Sequence, residues 1–173
     1  AVNFISQIFI KITELCTGKL KLKKLYDEYL SENRPPELFW DDAVDKLNLT
    51  LITNFQDGSY IPKKGRLIVI ANHAFGVADG VSICSAVSKV RQDYKMVTHK
   101  VLRQAEAVKD KILPIDFNET REALLTNIST RKEAEKVLHN EGVLVLFPSG
   151  TIATKQNLKK NTKADDGEWK QWV

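Results

Sequence analysis

Two cysteines, Cys16 and Cys84, are all that 173 residues contain. They lack C-x-x-C spacing and lie on unrelated segments, which favours two reduced apolar side chains over a disulfide or a ligand pair. The three histidines do not cluster with cysteines or carboxylates at ligand spacing, so no metal is expected. No apolar run reaches about 18 residues, and a membrane-crossing helix is therefore not expected. The first fifteen residues have neither a basic start nor a cleavage site, which argues against a secretory signal. The chain opens on Ala1 rather than Met, which suggests processing or trimming. Neither G-x-S-x-G nor G-x-x-x-x-G-K-[ST] occurs, which excludes the usual serine nucleophile elbow and the P-loop.

What is present is an ordinary globular balance, 43% hydrophobic and 28% charged, with a length that suits one domain. The net charge of +4 suits an anionic partner such as a phosphate group or an acidic membrane surface. No base-reading motif accompanies it, so nucleic acid is not an expected partner.

The first 48 residues read as a helical subdomain. Apolar residues at Val2, Phe4, Ile5, Ile8, Phe9, Ile12 and Leu15 have helical spacing. This helix either packs on the domain or lies in a membrane interface beside Lys19, Lys21, Lys23 and Lys24, giving a peripheral contact through residues 2–24. A second helix is expected over about Leu20–Leu30 and, after Pro35-Pro36, a third over about Pro36–Leu47.

From residue 49 onward strands alternate with helices. Strands are expected at Leu49–Phe55, Arg66–Ala71, Tyr94–Thr98, Ile112–Phe117 and Val143–Phe147, with an Asp57-Gly58 turn after the first. Helices are expected at Gly80–Val90, Lys100–Val108 and Glu119–His139, the last with Ala123, Leu124, Ile128, Ala134, Val137 and Leu138 inward. The uninterrupted apolar runs before Asn72 and Pro148 read as strands covered on both faces. The fold class is thus α/β: a mixed, mostly parallel sheet flanked by helices, with the N-terminal helical subdomain. Residues 155–163 read as a basic loop. The sheet looks cut short at Val173, as though part of the parent protein lay beyond it.

Three segments could carry chemistry. The strand ending at Ala71 runs into Asn72-His73, and Asp79 follows after five residues. Histidine can serve as a base near neutral pH, and a carboxylate on its second ring nitrogen would fix the tautomer. Gly76 allows the turn this requires. In the plainer reading, Asp79 only caps a helix starting at Gly80 and Asn72 is a turn residue. Phe147-Pro148-Ser149-Gly150-Thr151 ends another buried strand, where backbone N–H groups and hydroxyls suit an oxyanion or phosphate. Alone, it could be a plain strand-to-loop turn. Leu113 to Arg121 holds Asp116 and Arg121, though Asn118 could simply cap the long helix.

Taken in order, these segments resemble the glycerolipid and lysophospholipid acyltransferase superfamily. The pieces are Asn72-His73 with Asp79, then Pro114-Ile115-Asp116, then Phe147-Pro148-Ser149-Gly150-Thr151. The spacing from His73 to Asp79 is one residue longer than the common family pattern. Asn-His-x-Phe-Gly-x-x-Asp-Gly is similar to the hemolysin-like, or lyso-ornithine-lipid-acyltransferase-like, branch, as is the segment Leu15-Cys16-Thr17-Gly18. Ser149 and Thr151 stand where the family usually has acidic residues, and Phe117 where it commonly has arginine. The family's fourth motif would lie beyond Val173.

The resemblance implies a truncated acyltransferase fold and transfer of a fatty acyl group from acyl-CoA or acyl carrier protein to a lysolipid-type hydroxyl. It implies His73 as base and Asp79 as its orienting carboxylate. It also implies acceptor contacts from Asn72, Phe147, Pro148, Ser149, Gly150, Thr151 and Arg121. No cofactor is expected beyond the acyl thioester as co-substrate. The expected place is cytoplasmic, peripheral to the inner membrane face. Two alternatives remain: an inactive lipid-surface or interaction module that has kept the fold, or a thioester hydrolase using water.

Overall fold

The computed structural model describes residues 19–52 and 60–149. The expected helix over residues 2–16, the Asp57-Gly58 turn, Gly150, Thr151 and the basic loop lie outside them. The chain forms two compact units, divided after Leu38.

In the first unit, helix α1 covers Lys19–Ser31, close to the expected span. Tyr26 and Tyr29 stack one turn apart with centroids 6.3 Å from each other. Asn33 takes a left-handed φ of 48° beyond the helix end, and a 3-10 turn follows over Pro36–Leu38.

The second unit holds the sheet. Helix α2, Phe39–Lys46, belongs here rather than with the N-terminal helices, which moves the boundary ahead of the one expected at residue 48. The physical reason is Trp40, only 5% exposed in the core of this unit. Strands β1 (Leu67–Ile70), β2 (Tyr94–His99), β3 (Ile112–Ile115) and β4 (Val143–Leu146) lie in the order β1-β4-β2-β3. All neighbours are parallel, with Leu67 opposite Val143 and Ile70 opposite Leu146. Helix α3 (Val77–Ser88) connects β1 to β2, and two 3-10 segments, Lys100–Gln104 and Glu106–Lys111, connect β2 to β3. Helix α4 (Arg121–His139) connects β3 to β4.

One face of the sheet packs Val143, Val145, Tyr94 and Met96 against Trp40, Val81, Cys84 and Val87. The other packs Val97, Leu113 and Leu144 against Ala134 of α4. Burial pushes the Cys84 thiol and the Tyr94 phenol each up to about 12. Trp40 Nε1–H donates to the Tyr94 hydroxyl within this core.

Several expectations are corrected. Residues 49–52 form no strand; Leu49 instead packs its side chain on the core. β4 is buried on both faces, but β1 is not: Ile68 is 52% exposed and Ile70 48%. A purely apolar run does not say whether a strand is central, and among the described residues β1 has one strand neighbour. Leu124 and Ile128 are exposed on α4, whose inward positions are Ala123, Thr130 and Ala134. Thr120, not Asn118, caps α4, accepting from the Ala123 N–H at 3.1 Å. The expected helix over Lys100–Val108 is instead the two short 3-10 segments.

At the entry ends of the strands, Arg91 ties the loops together. It pairs with Asp93 through two contacts of 2.7 and 2.6 Å. It also donates to the carbonyls of Pro62, Gly65 and Glu141. Nearby, Gly142 is packed so closely that a Cβ would sit 2.9 Å from the Val137 carbonyl.

Candidate functional site

The strands point their carboxyl ends the same way, and His73 and Phe147 leave β1 and β4 at that end. This is where parallel sheets open a crevice between diverging connections. The register sets the encounter: Ile70 lies opposite Leu146, so the chains leave the sheet side by side. The His73 and Phe147 rings stack, with centroids 4.3 Å apart and planes 23° from parallel.

Asp79 returns to the same histidine. Gly76, at φ 64°, reverses the chain, and α3 starts at Val77. Asp79 therefore stands in the first turn of the helix rather than capping a helix at Gly80. Its Oδ2 lies 3.3 Å from His73 Nδ1 and accepts the Phe75 N–H at 2.7 Å. That backbone hydrogen bond aims the carboxylate. The two side chains are 21% and 17% exposed, shielded yet reachable. Nδ1 is the ring nitrogen that faces the carboxylate.

Behind the histidine is a cavity of about 350 Å³. His73 and Phe147 line it, along with Trp40, Val81, Met96, Val108 and Ile112. His99 and Thr98 are its other polar side chains, and the remaining wall is apolar. Gly80 forms part of that wall, where an added Cβ would meet the Met96 sulfur at 3.9 Å.

The other expected residues are distributed unevenly. Asn72 is exposed beside His73. Pro148 and Ser149 are buried directly after β4, with Ser149 only 2% exposed. Gly150 and Thr151 are outside the described residues. Arg121 is exposed in the first turn of α4, with no hydrogen bond or ion pair to His73, Asp79 or Phe147.

Asp116 is spent on structure. It binds Lys100 Nζ at 2.6 Å and accepts from Asn118 Nδ2 at 2.7 Å. The Lys100 ammonium, helped by the Asn118 backbone, holds its carboxyl below the usual range. Asn127 bonds both backbone groups of Asp116, tying the end of β3 to α4. The aromatic cover on His73 was not foreseen from the sequence, because stacking depends on the register between two strands far apart in the chain. The apolar wall from Trp40 was missed for a related reason: its helix reads as part of another subdomain. Among the described residues no three or more histidines, cysteines and carboxylates gather as a metal site.

The family model described as Acyltransferase matches residues 52–167. No curated protein and no solved structure matches the chain.

Proposed function

The chain belongs to the acyltransferase family, and from that premise we propose that it transfers a fatty acyl group from a thioester to a lysolipid-type hydroxyl. The observation that carries this reading is one arrangement: a histidine, beside a carboxylate, on the wall of a largely apolar cavity. The cavity suits an alkyl chain, and the histidine suits the removal of a hydroxyl proton. Acyl-CoA or acyl carrier protein is the proposed donor. The spacing from His73 to Asp79 supports the hemolysin-like branch.

In the proposed mechanism the acceptor oxygen attacks the thioester carbonyl as His73 Nε2 takes its proton. Asp79 holds Nδ1–H and stabilises the imidazolium that forms. The C–S bond then breaks, the acyl group stays on the acceptor oxygen, and the imidazolium returns the proton to the departing thiolate. Phe147 keeps the ring plane from turning. Asn72, Ser149, Gly150, Thr151 and Arg121 are proposed acceptor contacts. Peripheral contact through residues 2–24 belongs to the same proposal, and Lys21, Lys23 and Lys24 are exposed on α1. No helix among the described residues is long and apolar enough to cross a membrane.

The test is thiol release from a long-chain acyl-CoA, measured with and without lysolipids. Release that depends on a lysolipid, and its loss in His73→Ala, is the expected result. Release without acceptor would replace the reading by hydrolysis. No release with any acyl-CoA or acyl carrier protein would leave an inactive module.

A further inference from the structure

One polar group on the cavity wall is left unexplained by the packing. Thr98 lines the cavity from near the end of β2. Side chains along a strand alternate between its two faces. Tyr94 and Met96 enter the core on the cavity side, and Val97 enters the core on the side of α4. Thr98 shares the side of Met96, so its hydroxyl and methyl belong to the cavity wall.

Other hydroxyls packed in this part of the fold are spent. Ser85 donates to Asp41 at 2.6 Å, Ser88 to the Ser85 carbonyl and Thr130 to the Pro114 carbonyl. His99, also on the wall, accepts the Val101 N–H on Nδ1 at 3.1 Å and stacks on Phe117. The Thr98 hydroxyl has no hydrogen-bond partner among the described residues. It is half-buried on a wall that is otherwise nearly all apolar. Valine has the same shape and is buried there at less cost, so the hydroxyl gains its use only from something held in the cavity.

The β2–β4 ladder fixes the height of this group. Its last pair is Met96 opposite Val145. Two more residues along each strand bring Thr98 level with Phe147, on chains about 4.8 Å apart. Phe147 stacks on His73 with centroids 4.3 Å apart. Thr98 thus stands at the histidine end of the cavity rather than in its apolar depth.

We infer that Thr98 is a further catalytic residue, whose hydroxyl donates a hydrogen bond to the thioester carbonyl oxygen and holds the negative charge that forms there. The inference rests on the acyltransferase reading and adds to it the group that binds the oxyanion. As the acceptor oxygen bonds to the carbonyl carbon, the π electron pair moves onto the carbonyl oxygen, where the Thr98 O–H meets it. No proton leaves the threonine. The acceptor's proton goes to His73, and from there to the thiolate when the C–S bond breaks. A donor already fixed on a strand needs no reorganisation as that charge develops.

Thr98→Val keeps the shape and removes the hydroxyl, whereas Thr98→Ser keeps the hydroxyl. In thiol release from palmitoyl-CoA with a lysolipid acceptor, Thr98→Val should lower kcat about 10²-fold with KM little changed, and Thr98→Ser should recover most of the loss. A part in packing alone would lower the melting temperature and leave kcat as in the parent. A second measurement needs no turnover. Palmitoyl-CoA carrying a heavy carbon isotope at its carbonyl is bound to His73→Ala, and the carbonyl stretch is read by infrared difference spectroscopy. The stretch should lie lower than for the same thioester bound to the protein with both His73→Ala and Thr98→Val. If Thr98→Val does not fold, Thr98→Ala replaces it in both measurements. Absence of thiol release from the parent with every donor and acceptor counts against the acyltransferase reading, and the infrared comparison then decides the hydrogen bond by itself. A parent-like kcat in Thr98→Val, an identical stretch in the two proteins, or palmitoyl-CoA that binds neither of them overturns the inference.

Discussion

Two side-chain pairs sit at opposite ends of one sheet, and they are built on opposite terms. Arg91 and Asp93, at the entry ends of the strands, meet through two short contacts, and the same guanidinium fastens three loop carbonyls. His73 and Asp79, at the exit ends, approach to 3.3 Å. The first pair uses most of its hydrogen-bonding capacity within the protein. The second is a looser contact, and an apolar cavity lies beside it. The first pair fastens the loops around it; the second borders a cavity, where the proposed proton transfer would take place. Position in the fold separates them, since strand exits diverge and open a crevice.

The comparison can be broken most sharply at the exit end. His73→Ala should cut acyl transfer by about 10²–10⁴-fold, the usual worth of a positioned base, with the thermal midpoint nearly unchanged. Thiol-release rates alongside calorimetry check both halves. Asp79→Asn should also lower turnover strongly while substrate binding holds; a loss of stability alone would return Asp79 to a purely structural part.

At the entry end the effects reverse. Arg91→Ala should leave turnover per folded molecule intact but cost about 2–3 kcal/mol in urea unfolding, because three carbonyls lose their donor. The figure sits below that for a fully buried pair, since Asp93 is half exposed. The Asp116–Lys100 pair lies at the exit end but is saturated, so it should behave like the entry pair. Its carboxyl is held below the usual range, so the unfolded chain takes up its proton first as pH falls. The stabilisation is complete above the ordinary carboxylate pKa of about 3.9 and disappears as pH drops through the lower folded value. Melting curves of Asp116→Asn should therefore show a shallower acid dependence than those of the parent. The smallest effect is expected for Tyr94→Phe, about 1–2 kcal/mol, from leaving the buried Trp40 N–H without its acceptor.

Much of this was legible in the sequence. The apolar runs at Leu67–Ile70 and Val143–Leu146 announce strands, and helices between them dictate parallel pairing. The glycine at position 76 announces the turn that returns Asp79 to His73. What could not be read was the outcome of packing. The runs of β1 and β4 look alike, yet among the described strands one lies at the edge and the other is central, because neighbour order is decided by crossovers and not by composition. Leu124 and Ile128 have the right period for a core face, but Ala123 and Ala134 occupy it, since small residues let α4 approach the sheet closely. Arg91 left only a faint trace, an Arg-x-Asp between a helix and a strand, with no hint that its other partners were carbonyls of distant loops.

His73 leaves the sheet from β1, and among the described residues β1 is held by strand pairing on one side only. The stacking on Phe147 exists only while that strand stays docked on β4 in its native register. Edge elements open at lower free energy than the core does. Warming should thus uncouple the two rings before the sheet melts, so activity ought to fade at temperatures where the helical circular dichroism signal is still intact. Turnover then becomes a thermometer for one strand.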